Sequence, residues 1–274
     1  MILKIFEHRS KIFLFIFIVA IAFLQRGATL FVDFYDVDEL NDVIMIAEMI
    51  DGGEAGVDAL ISRPVYFIFF YTIFKFFGTG NFFALHFATI LWIIATCFVL
   101  YLINKELFSE KAGLLAAFFY VVFVSGFFEY YLAVHGEIIL NLPLMLSLYF
   151  FVLAEKGNRI IFNYILSGLF IFISFLAKGH GLVLIPFYIL YFLFLKPYVT
   201  KSKSPIGSGV KILVYFVGGM VLIAIVSITF SFTILGFDLI DYIKVYFFGN
   251  LKYALEGFAS LDFFQVVKKK CFFW

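Results

Sequence analysis

The chain has 274 residues, of which 64% are hydrophobic and 14% are charged, where an ordinary soluble domain has about 25% charged residues. Its formal net charge is +1 and its mean hydropathy is +1.08. A soluble domain of this length cannot bury so much apolar surface, and a nearly neutral chain offers no field to a nucleic acid. We therefore expect an all-α polytopic membrane protein that does not bind nucleic acid.

Apolar runs predict seven membrane-spanning helices, because a span needs roughly 20 mostly apolar residues. They lie at about 12–32, 82–103, 113–130, 137–154, 160–177, 180–196 and 211–236. We expect the first to be an uncleaved anchor; the alternative is a signal peptide with a cleavage site at Ala20-Ile21-Ala22. The uniform runs exclude outer-membrane strands, which alternate with a period of two.

A further apolar run at 64–77 is predicted to be a juxtamembrane or re-entrant helix. With about 14 residues it would be roughly 21 Å long, short of a 30 Å hydrocarbon core. Leaving it out of the span count places both strongly basic segments, the N-terminus and the 197–211 loop, on the cytoplasmic side, as the positive-inside rule requires. The 33–63 loop, residues 131–136 and the turn at Lys178 are then predicted to face outside.

The 33–63 loop contains nine of the nineteen acidic residues within 26 positions. Orientation does not require acids there, because Asp and Glu contribute little to topology. From Asp38 a helical pattern begins, which predicts an amphipathic helix on the membrane face with Asp38 and Glu39 at the lipid–water boundary. Its apolar side is predicted to carry Leu40, Val43, Ile44, Ala47 and Ile50, and its polar side Asp38, Asn41, Asp42, Met45 and Glu48.

Arg63 precedes a proline and is therefore expected to be extended, while Pro64 suits the first position of a helix. Arg63 would then lie at a helix N-terminus, where open N–H groups and the helix dipole favour an anion. A guanidinium at that place is suited to a phosphate group. The alternative is that Arg63 only anchors the helix at the membrane interface.

Glu137 opens one predicted span and Lys178 ends another, both on the predicted outer side. Each is a candidate binding residue, although a dipole partner and a helix C-cap are the simpler alternatives. His135 and His180 could bind a divalent metal with nearby acids, and the sequence leaves this open. We expect the spans to be almost free of ionisable residues, with His86 as the exception.

The order of these motifs resembles the polytopic GT-C type glycosyltransferases, specifically the protein O-mannosyltransferases and lipid A aminoarabinose transferases. The resemblance covers about residues 10–255. The motifs are Asp38-Glu39, Arg63-Pro64-Val65-Tyr66, Glu137 and Phe175-Leu176-Ala177-Lys178-Gly179. The resemblance implies a polyprenyl-phosphate-linked sugar donor, a lipid, glycan or protein acceptor, and an active site on the outer side of the cytoplasmic membrane.

The resemblance also implies roles for individual residues. Asp38 would be the general base, and Glu39, Arg63, Glu137 and Lys178 would bind substrate; Glu39 and Glu137 would alternatively hold a divalent ion. Two departures occur: the family's Lys-Pro-Pro motif falls on Arg63-Pro64-Val65, and its second acid, usually Asp, falls on Glu137.

Residues 1–236 are expected to form the transmembrane glycosyltransferase domain, with juxtamembrane helices within 33–77, and residues 237–274 an extracytoplasmic segment. Members of the family usually continue for several more spans, so we expect an N-terminal portion of such an enzyme. Two alternatives stay open. One is a non-catalytic membrane subunit or fragment, and the other is a lipid or sugar transporter, which would need a polar path through the spans.

Overall fold

The computed structural model describes residues 15–51, 63–126, 132–196 and 205–235. Within these residues the regular secondary structure is entirely helical, which confirms the prediction of an all-α protein. Several predicted features lie wholly or partly outside the described residues: the basic N-terminus with the first positions of the 12–32 span, part of the 33–63 loop, the end of the 113–130 span, the first residue of 131–136, the greater part of the basic 197–211 loop, and the segment 237–274.

The first two helices are joined by the short segment 32–36. Helix α1, Phe15–Phe31, ends in a tight 3-10 turn at Gly27–Phe31. Helix α2, Val37–Ile50, begins at Asp36, whose side chain accepts a hydrogen bond from the backbone N–H of Glu39 at 2.8 Å. Such a cap typically contributes about 1 kcal/mol to helix stability. The short helix predicted from Asp38 is thus confirmed, with its cap two residues earlier.

The faces of α2 differ from the prediction. Val43 is buried as expected, but Ile44 is 46% exposed and Asp42 is only 4% exposed. Glu39 is fully buried as well. The apolar pattern mispredicted this face because it cannot foresee that both carboxyl groups meet hydrogen-bond partners from distant parts of the chain.

Helix α3, Pro64–Phe77, has the bounds that the sequence predicts. Pro64 occupies its first turn and Gly78 follows its end with φ +97°, a conformation that favours glycine. At 14 residues it is among the shorter apolar helices. One side is buried against α2 and the bundle helices through Tyr66, Phe67, Phe70 and Phe74.

The rest of the described chain forms the bundle. Its helices are α4 Phe82–Leu107, α5 Glu110–Val124, α6 Gly136–Glu155, α7 Ile160–Ala177, the mixed segment α8 Gly179–Leu195 and α9 Pro205–Leu235. Helix α7 is central, because it packs extensively on both α6 and α9. A cluster of buried aromatic side chains from α3, α6, α8 and α9 surrounds it.

Two glycines allow α7 and α9 to approach closely. A Cβ atom added at Gly168 would lie 1.8 Å from the carbonyl oxygen of Phe216, and one added at Gly219 would lie 2.0 Å from that of Ile165. Small residues permit such backbone contact between helices within a membrane. The α7–α9 interface therefore depends on the absence of side chains at both positions.

Four of the predicted spans coincide with helices that are long and apolar enough to cross a membrane, namely Phe82–Leu107, Gly136–Glu155, Ile160–Ala177 and Gly209–Phe230. The other three correspond to shorter pieces in the described chain. Helix α1 is described from Phe15, α5 has 15 residues, and α8 is broken into 3-10, α and π turns.

Candidate active site

The predicted outer segments meet at one end of the bundle. The short segment 133–135, which leads into α6, is their common contact. Asp36 approaches His135, with 2.8 Å between Oδ2 and Nε2. Glu39 accepts from the backbone N–H of Val134, and the hydroxyl of Tyr66 lies 2.6 Å from the carbonyl oxygen of Val134. Helices α2 and α3 are therefore both fixed to the entrance of α6.

Glu39 is the most deeply enclosed carboxyl group of this end. One oxygen accepts from the backbone N–H of Val134 at 3.1 Å and the other from that of Tyr35 at 2.9 Å. Burial outweighs these hydrogen bonds and raises the pKa of Glu39 to about 7. The side chain is fully buried. It therefore holds α2 in place and cannot be reached from the surface in this conformation.

Two basic side chains lie near Glu39 in the interior of the protein. Arg26 and His86 are both fully buried, and Nδ1 of His86 is 3.8 Å from Oε1 of Glu39. Arg26 interacts electrostatically with Glu39 and lowers its pKa, which offsets part of the effect of burial. Sequence reasoning missed Arg26. The available signal was an arginine inside the predicted 12–32 span, and the expectation that His86 is the exception among the spans is wrong.

Arg63 is held from three directions at the N-terminus of α3. Its guanidinium donates to Asp42 at 3.0 Å, and its Cζ atom lies 4.9 Å from the ring centre of Tyr66 and 5.2 Å from that of Phe67. Stacking and ion pairing fix a planar guanidinium in a way that a lysine cannot reproduce. The side chain stays 31% exposed, so one part of it is open to a ligand.

Asp42 and Tyr66 complete the support of Arg63. The Tyr66 hydroxyl lies 2.8 Å from Asp42 and 2.6 Å from the carbonyl oxygen of Val134, two acceptors for one phenol proton. Burial raises the pKa of Asp42, although Arg63 and Tyr66 oppose this shift. Asp42 was predicted on the polar outer side of α2, and the structure instead makes it part of a buried network.

Asp38 occupies the first turn of α2 and is exposed. It lies between Asp36, which pairs with His135, and the buried Glu39. Of the two adjacent acids in the predicted motif, Asp38 is thus the one that a solvent-side or membrane-side molecule can reach. The motif therefore divides into an open carboxylate and a buried structural one.

Glu137 and Lys178, both predicted to bind substrate, form an ion pair with each other. Lys178 follows the end of α7, and Glu137 is in the first turn of α6. Both side chains remain partly exposed, at 45% for Glu137 and 27% for Lys178. A Cβ atom at the neighbouring Gly136 would lie 3.2 Å from the Lys178 side chain, so the pair sits directly against the entrance of α6.

The metal hypothesis finds no ready-made ligand set in the described residues. Within 15–51, 63–126, 132–196 and 205–235, no three His, Cys, Asp or Glu side chains converge as a metal-binding group. His135 approaches Asp36, and His180 is exposed in the turn after α7. Cys97 is a buried free thiol.

Comparison with known proteins identifies the family to which the chain belongs. No curated protein matches the chain. The family model described as dolichyl-phosphate-mannose-protein mannosyltransferase matches residues 62–227, more than half of the chain. The matched region includes Arg63, Glu137 and Lys178, and it starts after α2, which carries Asp38 and Glu39. The chain belongs to the dolichyl-phosphate-mannose-protein mannosyltransferase family, whose members are membrane glycosyltransferases of the GT-C type.

Proposed function

We propose that this protein transfers a sugar from a polyprenyl-phosphate donor to an acceptor hydroxyl on the outer side of the cytoplasmic membrane. The observation that supports this most is the meeting of α2, the start of α3 and the end of α7 at residues 133–137. That meeting brings two partly exposed cations, Arg63 and Lys178, and one exposed carboxylate, Asp38, to the same end of the bundle.

The two cations would bind the donor phosphate. Each already has one carboxylate partner, Asp42 for Arg63 and Glu137 for Lys178. These partners hold the cations in position without covering them, so a phosphate can approach the open side of each. The N-terminus of α3 adds open N–H groups beside Arg63. Positive charge at the leaving phosphate lowers the barrier for its departure.

Asp38 would act as the general base. A bond forms between the acceptor oxygen and the anomeric carbon, and the bond from that carbon to the phosphate oxygen breaks. The acceptor proton goes to Asp38, and the polyprenyl phosphate leaves with the bonding electron pair. A single displacement of this kind inverts the configuration at the anomeric carbon. General-base assistance typically contributes about 10²–10⁴-fold to the rate.

The test is sugar transfer in proteoliposomes, with polyprenyl-phosphate-linked mannose as the probe. Asp38→Asn is expected to reduce transfer about 10²-fold or more, while insertion and thermal stability stay unchanged. The matched control is Asp51→Asn, since Asp51 is an exposed aspartate at the other end of α2. Transfer by Asp38→Asn at the level of Asp51→Asn would contradict the assignment. Movement of the labelled lipid without sugar transfer would favour a transporter instead.

Arg63 variants test the phosphate site in the same assay. Arg63→Ala removes both the charge and the stacking on Tyr66 and Phe67, whereas Arg63→Lys keeps only the charge. We expect donor affinity to fall in the order wild type, Arg63→Lys, Arg63→Ala, measured as the KM for the donor lipid. Equal KM values for the two variants would show that the positive charge of Arg63 does not bind the donor.

A further inference from the structure

A cavity of about 720 Å³ lies at the other end of the bundle from α2. It opens between the start of α7 and the first half of α9, and its lining includes Gly157, Arg159, Ile161, Phe162, Lys211 and Tyr215. Helix α6 joins the two ends with 20 residues, roughly 30 Å of helix. The cavity is therefore separate from the candidate active site.

Both charged residues that line the cavity are basic and exposed. Arg159 and Lys211 form no ion pair with any residue in the described part of the chain, and no acid is among the lining residues. The neighbouring Lys156, by contrast, pairs with Glu106 at 2.8 Å. The cavity thus carries two positive charges that no described carboxylate balances.

The backbone adds to this positive character. Arg159 occupies the N-cap position of α7 in a left-handed conformation, with φ 37°, and its side chain does not cap the helix. The first N–H groups of α7 thus stay open to an anion, and the residues of that turn, including Ile161 and Phe162, line the cavity. A helix end and two cations therefore surround one space.

The walls of the same cavity are apolar. Ile161 is 49% exposed and Phe162 is 53% exposed, and Tyr215 on α9 lines the same opening. A ligand that suits this cavity needs an anionic head for the cations and a hydrocarbon part for the walls. A soluble anion satisfies only the first requirement, and a zwitterionic lipid places a third positive charge beside the two cations.

We propose that this cavity is a binding site for an anionic phospholipid of the cytoplasmic leaflet. Its phosphate lies between Arg159 and Lys211, and one acyl chain follows Phe162 and Tyr215. The site is at the end of the bundle that carries the predicted cytoplasmic loops, where anionic lipids attract basic residues. The proposal does not depend on the proposed transferase activity.

The experiment measures lipid binding to the purified full chain in neutral detergent. Phosphatidylglycerol and phosphatidylcholine are titrated separately, and the apparent Kd is taken from the rise in Tm. Wild type is compared with Arg159→Gln/Lys211→Gln and with Lys105→Gln/Lys111→Gln. The second pair removes two exposed charges from the same end of the bundle, outside the cavity.

We expect wild type to prefer phosphatidylglycerol, and the Arg159→Gln/Lys211→Gln variant to bind it about tenfold more weakly or worse. The Lys105→Gln/Lys111→Gln variant is expected to bind as wild type does. Equal weakening in both variants would overturn the proposal. It would show that lipid binding depends only on the total positive charge at this end of the bundle. Equal affinity of wild type for the two lipids would overturn it as well.

Discussion

At the scale of single residues, the acidic pair Asp38-Glu39 shows how adjacent side chains of the same charge take different roles. Asp38 is exposed on the first turn of α2, whereas Glu39 is fully buried and accepts backbone hydrogen bonds from Tyr35 and Val134. A motif in the sequence presents both as equal candidates. The structure separates them, because the first turn of α2 leaves Asp38 exposed at the surface and buries Glu39 inside the protein.

The raised pKa of Glu39 predicts that the stability of the folded protein depends on pH. Its pKa is about 7 in the folded protein against an ordinary value of 4.5, so the folded state binds its proton more tightly than the unfolded state. This contribution is fully present below pH 4.5 and is lost as the pH rises through 7. The total loss is roughly 3 kcal/mol.

The measurement is thermal unfolding in detergent between pH 4.5 and 8, for wild type and Glu39→Gln. The Tm of wild type is expected to fall relative to that of the variant as the pH rises, because the variant lacks the titrating group. Taking the difference removes the contribution of Asp42, whose pKa burial also raises. Parallel curves for the two proteins would contradict the burial of an ionisable Glu39.

At the scale of helices, local signals predicted bounds well and contacts poorly. Pro64 and Gly78 mark the two ends of α3, and the predicted helix at 64–77 is confirmed. The faces of α2 were mispredicted because the partner of Asp42 is Arg63, 21 residues away, and that of Glu39 is Val134, 95 residues away. Such pairings stabilise buried carboxyl groups, and no local pattern of apolar residues reveals them.

Helix α9 offers a matched pair of glycines that tests the packing against α7. Gly219→Ala is expected to destabilise the protein by about 1–3 kcal/mol, because its Cβ would lie 2.0 Å from a backbone oxygen of α7. The adjacent Gly218 has no atom within 4 Å of such a Cβ, so Gly218→Ala should leave the Tm unchanged or raise it slightly. Similar Tm values for the two variants would disprove close contact between α7 and α9.

At the scale of the whole molecule, charged side chains gather at both ends of the bundle. Arg63, Glu137 and Lys178 mark one end, and the pairs Lys156–Glu106 and Lys196–Glu155 mark the other. The sequence predicted this separation from hydropathy and loop charge. Sequence reasoning did not single out Arg26, although its position inside the predicted 12–32 span distinguishes it from the charges at the helix ends.

The predicted orientation assigns the first of these ends to the outside, and cysteine labelling tests it. With Cys97 and Cys271 replaced by Ser, a membrane-impermeant maleimide is expected to label Glu48→Cys in intact cells. Lys111→Cys should react only after the membrane is made permeable. Both positions are exposed, Glu48 on α2 and Lys111 at the start of α5. The reverse pattern would invert the orientation.

The contacts of Val134 have a consequence for how this family can vary. Glu39 and Tyr66 meet its main-chain N–H and carbonyl groups, which every residue except proline supplies in the same form. Because the side chain of Val134 is itself fully buried in the core, only an apolar residue of similar volume at 134 would leave the junction intact. The point where α2 and α3 join the bundle can therefore keep its main-chain contacts while one apolar residue replaces another, and a comparison of residue identities alone would pass over it.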